Sequence, residues 1–249
     1  MINLSFKDYS NYYDFFYEDK NYKKEVNFLK NFFYKNKFKA KNILEFGSGT
    51  GNHAILLAKS GYNVHGIELS PEMILKAKKH KRFFLQKGDI TKINLKKKFD
   101  VVLSMFHVIS YLTINQKVIS AFKNANKHLK KNGLFIFDFW YTPAVLSQKP
   151  TKKIKKIKKN NLELTRIARP INHINNNTVD VNYKIIVKNF KSKSSDIFNE
   201  LHSMRHFSLP EIDLFASVSG FERIGALDIL TKQKPSKDSW GICVVLKKK

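Results

Sequence analysis

Three glycines in the first quarter of the chain have the spacing of a loop that binds a nucleotide-containing ligand. The segment 42–53, Asn-Ile-Leu-Glu-Phe-Gly-Ser-Gly-Thr-Gly-Asn-His, joins an apolar run to a predicted helix through Gly47, Gly49 and Gly51. Glycine permits backbone conformations and a close approach to a ligand that a side chain would prevent. The order G-x-G-x-G differs from the G-x-G-x-x-G loop of dinucleotide-binding proteins, so a different ligand is expected.

Two acidic residues narrow the choice of ligand. Glu45 lies two residues before the first glycine. Its carboxylate, if directed into the loop, would repel a pyrophosphate and attract the ammonium group of a bound amino acid, which S-adenosylmethionine carries. Glu68 ends the next apolar run, about 20 residues past the first glycine, where an acid that binds both ribose hydroxyls is expected. Together the two acids predict S-adenosylmethionine as the cofactor.

The motif E-x-G-x-G-x-G, followed by apolar residues and Glu68, resembles the class I S-adenosylmethionine-dependent methyltransferases. Later segments continue the resemblance: 88–90 resembles the segment that holds the adenine, 99–105 the fourth strand, and 128–138 the helix, turn and fifth strand. The resemblance implies an α/β fold with a doubly wound, mostly parallel seven-stranded sheet of the Rossmann-like kind. It also implies these cofactor-binding residues: Glu45, Gly47, Ser48, Gly49, Gly51, Glu68, Leu69, Met73, Gly88, Asp89, Ile90 and Met105.

Strand-like and helical patterns alternate after residue 41, which predicts a parallel sheet with helices on both faces. Ser208-Leu-Pro-Glu211 has the pattern of a capped helix start, and Gly220 is expected to end that helix. The expected strands lie near 42–47, 63–68, 82–86, 99–105 and 133–139, with closing strands at 221–226 and 240–246. The expected helices lie near 52–60, 71–80 and 115–130.

Two further regions accompany this core. Residues 1–40 combine tyrosines with apolar residues at helical spacing, which predicts an N-terminal helical lid over the site. Residues 147–207 contain strand-like runs, which predict an antiparallel β cap over the substrate site. The methyltransferase core is then expected in 41–146 and 208–249.

Lysine supplies most of the net charge of +26. A basic surface is typical of nucleic-acid binding, but the chain has only five arginines, the better readers of phosphate and bases. Lysine is also spread over every segment, so a nucleic-acid partner is not expected. For the densest run, 151–159, two interpretations remain open. It is either a polybasic patch for phosphate or membrane, or a solvated sheet edge where lysines discourage edge-to-edge pairing.

The sequence has no apolar run of membrane-spanning length and no charged-then-apolar leader, so neither a membrane span nor a signal peptide is expected. The single cysteine, Cys243, lies in a strand-like run, and neither a disulfide framework nor a metal site is expected. We expect a cytoplasmic protein without a membrane partner, either a monomer or a homodimer.

The residues after the fourth strand exclude several classes of methyltransferase. Enzymes that methylate adenine or glutamine amino groups carry Asn/Asp-Pro-Pro-aromatic there, whereas 104–111 reads Ser-Met-Phe-His-Val-Ile-Ser-Tyr. Cytosine C5 enzymes need a nucleophilic thiolate, but the one cysteine lies in the final strand. Catechol-type enzymes need an acidic metal-binding cluster, and the sequence shows none.

A closer resemblance, over nearly the whole chain, is to the N,N-dimethyltransferases of nucleotide-linked amino deoxysugars. It implies methyl transfer to an amino or related nitrogen of a small polar substrate, a nucleotide-activated sugar. His107 and Val108 replace the small residues that usually follow Ser-Met-Phe, which leaves the substrate and the acceptor atom open, so a small-molecule O-methyltransferase remains an alternative. An RNA-binding methyltransferase is a further alternative, for which polyanion binding would be the sign. The matching segments are 12–17, Tyr22, 104–106 with Tyr111, 138–143, the strand with His202, and 235–240.

Methyl transfer from a sulfonium is an in-line displacement, for which a protein chiefly supplies alignment and a dry site. His107 is the first candidate base for an amine proton and His202 the second, although a helix-capping or cofactor-contacting role for His107 is equally open. His53 is expected on a helix surface. The predicted catalytic residues are His107, Tyr111, Tyr13 and Tyr22. The predicted substrate residues are Tyr17, Trp140, Tyr141, His202 and Arg205.

Overall fold

Five parallel strands form the centre of the computed structural model, which describes residues 8–249. Their order in the sheet is β3-β2-β1-β4-β5. Aliphatic side chains in the middle strands, such as Val101 and Val102, are completely buried because helices cover both faces. The strands are β1 Asn42–Phe46, β2 Asn63–Glu68, β3 Phe83–Lys87, β4 Phe99–Ser104 and β5 Leu129–Tyr141.

Helices pack on the two faces of this sheet in two apolar clusters. One face is covered by α2 and α3, through residues such as Leu29 and Leu57. The other face is covered by α5 and α7, through residues such as Phe122 and Phe215. The helices are α1 Tyr13–Phe16, α2 Tyr22–Lys35, α3 Asn52–Lys59, α4 Pro71–Leu75, α5 Asn115–His128, α6 Thr142–Gln148 and α7 Leu209–Val218.

Helix α4 is shorter than the predicted 71–80. It ends at Leu75, and the backbone N–H of Lys78 donates to the carbonyl of Thr50 in the glycine loop, 3.1 Å away. This contact directs the chain away from the helix. Like charges on Lys76, Lys78 and Lys79 would also disfavour a longer helix. Helix α6 was not predicted, although Pro143 in its first turn is a usual helix-start signal.

The remaining strands close the core and build the insertion. Strand β11, Gly241–Lys248, pairs antiparallel with β5 and with β10, Phe221–Asp228, which completes the seven-stranded core. The insertion forms four antiparallel strands: β6 Lys153–Lys159, β7 Leu162–His173, β8 Thr178–Asn189 and β9 Ser194–Phe207. The end of β9 also pairs with the end of β5, so the hydrogen-bonded sheet has eleven strands and the predicted count of seven describes only the core.

The lysine-rich run forms the edge strand β6, in agreement with the sheet-edge interpretation. Lys155 binds Asp19 of the N-terminal region at 2.8 Å, and Lys159 pairs with Glu18. On the other face of the strand, Lys156 pairs with Glu163 at 3.1 Å. The edge lysines thus attach the N-terminal region to the cap as well as discouraging further strand pairing.

The N-terminal region packs as short helices against the cap. It consists of a 3-10 turn at Tyr9–Asn11, α1 and α2, and residues 1–7 lie outside the described part of the chain. Tyr9 and Phe16 are buried against Leu164, Ile185 and Val187 of the cap. Among residues 8–249, no helix combines the length and the hydropathy that crossing a membrane requires.

The capping box at Ser208 provides a test of the fold. The Ser208 hydroxyl accepts from the backbone N–H of Glu211, and the Glu211 carboxylate accepts from the Ser208 N–H at 2.9 Å. We expect Ser208→Ala to lower the free energy of unfolding by about 1 kcal/mol, because an N–H at the helix start loses its acceptor. Ser217→Ala, at an exposed site on the same helix, should stay within about 0.5 kcal/mol of the wild type in urea denaturation. Equal effects of the two changes would contradict the capping assignment.

Candidate active site

The glycine loop leaves room for a ligand at its middle residue. Gly47, Gly49 and Gly51 all have positive φ, of +67°, +54° and +80°. A Cβ at Gly47 would lie 2.6 Å from the side chain of Val108, whereas a Cβ at Gly49 would meet no atom within 4 Å. The loop is therefore packed against the protein at Gly47 and open at Gly49, where a ligand can approach the backbone.

Glu45 points into this loop and is almost completely buried. Its side chain accepts a hydrogen bond from the Ser48 hydroxyl at 2.8 Å. Burial raises the pKa of Glu45 to about 7, although the charge of His53 acts to lower it. A carboxylate at this position gains more from a neighbouring cation than one in water would, so it fits the ammonium of an amino acid.

Glu68 ends β2 beside the same loop. Its two carboxylate oxygens accept from the backbone N–H groups of Gly49 at 2.8 Å, Leu69 at 2.8 Å and Ser70 at 2.9 Å. Burial raises the pKa of Glu68, while these hydrogen bonds act to lower it. The carboxylate is thus held rigidly at the open side of Gly49, as binding of a ribose diol requires.

Most other predicted cofactor residues lie at this carboxyl edge of the sheet. The N–H of Gly88 donates to the Glu68 carbonyl at 2.9 Å, and Asp89 accepts from the N–H and hydroxyl of Thr91. Met73 and Met105 are 2% and 3% exposed. Met105 packs in the apolar cluster beneath α2 and α3, so its backbone is the part that faces the site.

Ile90 and Leu69 differ in their exposure. Ile90 packs against the large core cluster, and its carbonyl accepts from the Asn124 amide at 2.8 Å. Leu69 is 61% exposed, at the rim beside Glu68.

The prediction that His53 lies on a helix surface is wrong, because α2 covers it. His53 is only 6% exposed, and its Nε2 lies 2.6 Å from Oε2 of Glu25 on α2. Burial acts to raise the pKa of Glu25, but hydrogen bonding to His53 and the charges of His53 and Lys20 outweigh it and lower the pKa to about 2. This buried pair attaches α2 to the helix that starts at the glycine loop.

Asp14 makes a second attachment between the N-terminal region and the glycine loop. Its Oδ1 accepts from the Thr50 hydroxyl at 2.9 Å and from the Asn52 amide at 3.0 Å. The sequence analysis did not single out Asp14 or Glu25. The sequence offered one signal for them: Asp14 and Glu25 are acidic residues in the lysine-containing N-terminal region, within the predicted lid.

Three of the predicted site tyrosines surround Phe106, the residue after Met105. The ring centroids of Tyr13, Tyr17 and Tyr22 lie 6.5, 4.9 and 6.4 Å from that of Phe106. The Lys20 ammonium lies 4.4 Å from the Phe106 centroid, so this aromatic box already attracts a cation. A sulfonium has the same charge requirement, and the box therefore fits S-adenosylmethionine.

The loop that presents Phe106 is strained. Phe106 and His107 both have left-handed backbones, with φ of +69° and +62°, which is uncommon outside glycine. The His107 N–H donates to Oδ1 of the fully buried Asp138 at 2.9 Å. His107 Nδ1 lies 3.1 Å from Asp138 Oδ2, close enough for an ion pair but not aligned as a hydrogen bond. Asp138 thus holds the strained turn, and His107 takes the capping position of the 3-10 turn Val108–Tyr111.

Two predicted substrate residues lie beside this loop. Trp140 follows Asp138 on the same face of β5, and its ring packs against His107 and Trp240. His202, on β9, is 2% exposed and accepts or donates at Nδ1 to the Tyr111 hydroxyl, 2.8 Å away.

Tyr141 does not join this group. Side chains alternate along a strand, so Tyr141 lies on the opposite face of β5 from Trp140 and packs against the large core cluster with Phe139. The resemblance over 138–143 implies both residues as substrate contacts, but the alternation of faces along β5 leaves only Trp140 on the side of His107.

Arg205 and His202 likewise lie on opposite faces of β9, because three positions separate them and side chains alternate along a strand. It is 7% exposed, and its guanidinium donates to Asn115 at 2.7 Å and to Glu211 at 3.0 Å. These contacts join the cap strand to α5 and α7, so Arg205 has a structural role, and its guanidinium is directed away from the predicted substrate site.

Arg166 is the cation that the sequence analysis overlooked. It lies on the inner face of the cap, donates to the hydroxyls of Tyr9 and Tyr17, and stacks 5.0 Å from the Tyr183 ring. The available signal was weak, because Arg166 is one of three arginines, with Arg169 and Arg205, in the lysine-rich insertion. Within residues 8–249, no group of histidine, cysteine and acidic side chains could hold a metal ion.

Comparison with known proteins agrees with this geometry. Residues 43–133 match the family described as a methyltransferase domain. The dTDP-3-amino-3,4,6-trideoxy-alpha-D-glucopyranose N,N-dimethyltransferase of Streptomyces venezuelae is 23% identical over 216 residues, which cover 86% of this chain and 90% of that protein.

Solved structures show the same fold. An S-adenosylmethionine-dependent methyltransferase from Clostridium acetobutylicum superposes with a TM-score of 0.79 at 21% identity, covering 95% of this chain and 96% of that one. An amino pentose methyltransferase from Micromonospora echinaspora, solved with S-adenosylmethionine bound, has a TM-score of 0.78 at 19% identity, with both chains covered completely.

The raised pKa of Glu45 predicts how cofactor affinity depends on pH. The bound ammonium favours the ionised carboxylate, so below pH about 7 a proton must leave Glu45 on binding. Affinity for S-adenosylhomocysteine should therefore rise by up to about tenfold per pH unit from pH 5 to 7 and level off above, as measured by calorimetry. Glu45→Gln should bind weakly with a flat profile. The same slope in that variant would assign the effect to another group.

The openness at Gly49 predicts that a side chain there abolishes binding. Gly49→Val fills the space above the loop, and Gly61→Val is its matched control, because Gly61 also has a positive φ and no atom within 4 Å of its Cβ. Both variants should be destabilised, but only Gly49→Val should fail to bind S-adenosylmethionine.

Glu68→Ala should weaken binding by about 1.5–3 kcal/mol through lost charge-assisted hydrogen bonds. Unchanged affinity in the Gly49 and Glu68 variants would overturn this cofactor site.

Proposed function

We propose that the chain, a class I S-adenosylmethionine-dependent methyltransferase, transfers a methyl group to the amino nitrogen of a nucleotide-activated amino sugar. The observation that carries the proposal is the aromatic box at Phe106: its Tyr22 packs on His53 of the helix that starts at the glycine loop, and its Tyr17 accepts from Arg166 of the β cap. The names of the relatives support the substrate class, since one acts on a dTDP-linked amino sugar and another on an amino pentose.

The chain's contribution to the reaction is binding, alignment and exclusion of water. Bound S-adenosylmethionine supplies a methyl group on a sulfonium, whose sulfur leaves as a neutral thioether. Glu45, oriented by Ser48, would hold the ammonium of the methionyl part, and Glu68, oriented by the Gly49 N–H, would hold the ribose hydroxyls. The phenol rings of Tyr13 and Tyr22 cover the reacting centre with Phe106, where a desolvated cation is stabilised by the aromatic faces.

We further propose that 1–40 acts as a lid and 147–207 as a substrate cap, with the core in 41–146 and 208–249. The lid is attached to the glycine loop by Asp14 and by the Glu25–His53 pair, and to the cap by Lys155. Closing both would sequester the acceptor amine. Tyr17, Trp140 and His202 are the proposed substrate contacts, because Tyr17 packs on Phe106, Trp140 packs on His107, and His202 bonds to Tyr111 on the turn that follows.

Direct assay tests the substrate class. Purified protein with S-adenosylmethionine and a thymidine-diphosphate-linked amino deoxysugar should form the N-methylated sugar, detected by mass spectrometry. The matched control substrate carries a hydroxyl in place of the amine and should not react. Methylation of the hydroxyl sugar instead would favour an O-methyltransferase. Binding to RNA with a steep salt dependence, without sugar turnover, would favour the RNA-binding alternative.

His107 stays a candidate for the base that takes the amine proton. In that role His107→Asn should lower kcat by on the order of 10²–10⁴-fold with cofactor affinity nearly intact. Its contacts with Asp138 equally support a role in holding the loop, for which the loss should be within a few-fold. Turnover measured from pH 6 to 9 decides between the two roles, with Glu222→Ala on the exposed surface of β10 as the control for handling and stability.

A further inference from the structure

We infer that Tyr111, His202 and Glu200 form a proton relay that carries the amine proton from the acceptor into the β cap, with Glu200 as the residue that orients His202. The inference rests on the proposed function, because it names the route by which an ammonium acceptor becomes a nucleophile. The Tyr111 hydroxyl lies 2.8 Å from His202 Nδ1, and His202 Nε2 lies 3.1 Å from Glu200 Oε2.

The carboxylate fixes the tautomer of the histidine. A carboxylate accepts hydrogen bonds and does not donate them, so the ring proton of neutral His202 lies on Nε2, which faces Glu200. Nδ1 then presents its lone pair to the Tyr111 hydroxyl, which donates to it. The order of acid, histidine and hydroxyl is that of the hydrolase triad, but the two ring nitrogens are exchanged and the outer group is a phenol.

The three side chains are held in place by the lid as well as by the cap. The backbone N–H of Tyr9 donates to Glu200 Oε1 at 2.9 Å, which sets the rotamer of the carboxylate. The His202 ring packs edge-on against the rings of Tyr183 at 4.8 Å and Tyr9 at 5.7 Å. The titratable groups that face His202 among the described residues are therefore Tyr111, Tyr183, Tyr9 and Glu200.

Burial determines which protonation states take part. The side chains of His202 and Glu200 are 2% and 6% exposed, so the pair is shielded from water. Burial raises the pKa of Tyr111 well above its usual value. Tyr111 therefore stays a phenol near neutral pH and passes a proton on, instead of acting as a phenolate.

The proton balance is as follows. The acceptor ammonium gives one proton to the Tyr111 oxygen while the Tyr111 proton moves to His202 Nδ1, which leaves a neutral amine and an imidazolium paired with Glu200. The amine lone pair then forms the N–C bond, and the C–S electron pair stays on sulfur. His202 returns its proton to solvent through Tyr111 when the product leaves. A second methylation repeats the sequence.

His107 offers no comparable chain. Its N–H and ring both face Asp138, which is completely buried and also anchors the strained turn at Phe106. The relay thus predicts that the His107→Asn variant shows the small loss expected for a loop-holding residue.

Kinetic variants test the relay. Tyr111→Phe removes only the hydroxyl and should lower kcat by on the order of 10²-fold with KM and S-adenosylhomocysteine affinity nearly unchanged. Tyr12→Phe is the control for loss of a phenol hydroxyl, since Tyr12 stacks on Phe198 and makes none of the hydrogen bonds of the relay. Glu200→Leu should lower kcat by about 10–100-fold, and Glu200→Gln, which keeps an acceptor oxygen, should recover part of it. A Tyr111→Phe enzyme within threefold of the wild type would overturn the relay.

A second readout does not depend on substrate. In ¹⁵N-histidine-labelled protein, NMR should show His202 with its proton on Nε2, assigned by loss of the signals in His202→Asn. Glu200→Leu should change this tautomer, whereas Tyr12→Phe should leave it unchanged. A His202 protonated on Nδ1 in the wild type, or a tautomer unaffected by Glu200→Leu, would overturn the relay.

The two readouts separate the relay from the proposed function. Absence of turnover with the amino sugar in the wild type rejects the proposed substrate, and the tautomer then decides alone whether the relay is built as inferred. Turnover by the wild type together with normal turnover by Tyr111→Phe rejects the relay and leaves the substrate assignment standing.

Discussion

The burial of two carboxylates at one edge of the sheet is the constraint on which the rest of the site depends. Glu45 and Glu68 lie at the ends of neighbouring parallel strands. Among the described residues, their carboxylates accept hydrogen bonds from hydroxyl and backbone N–H groups. Apart from the nearby His53, these partners are not cationic side chains. In a chain of net charge +26, this makes a locally acidic pocket. Such a pocket rejects phosphates and selects a ligand that carries both a cation and hydroxyl donors.

In the proposed function, the surrounding elements keep that pocket dry. The lid reaches the glycine loop through Asp14 and through the buried Glu25–His53 pair, and the cap holds the lid through Lys155 and Lys159. The lysine-rich edge strand thus has a specific use within the molecule, although the overall positive charge suggested an external polyanion. Exposed ion pairs contribute little stability singly, so their value lies in setting the position of the lid.

Local sequence predicted what depends on local rules. The glycine loop, the parallel strands, the capping box at Ser208 and the antiparallel insertion all follow from spacing and alternation. The wrong or missing parts depend on contacts between distant segments: α2 covers His53, β9 pairs with β5 over only two residues, and Tyr141 and Arg205 face away from the cleft. A one-residue difference along a strand reverses the face of a side chain, and no motif in the chain fixes that choice.

The aromatic box sets a physical conflict that an amine methyltransferase must resolve. Rings that stabilise a sulfonium also stabilise an acceptor ammonium, as the position of Lys20 over Phe106 illustrates, and so they oppose the loss of its proton. A base placed among the rings would hold its proton for the same reason, because the rings stabilise its cationic form as well. The inferred relay removes the conflict, because Tyr111 passes the proton to His202. The positive charge then lies beside the buried carboxylate of Glu200 and not among the rings. In the inferred relay Glu200, on the cap strand behind Tyr111 and His202, has that position, so the relay assigns the insertion a chemical role beside the substrate selection that we propose for it.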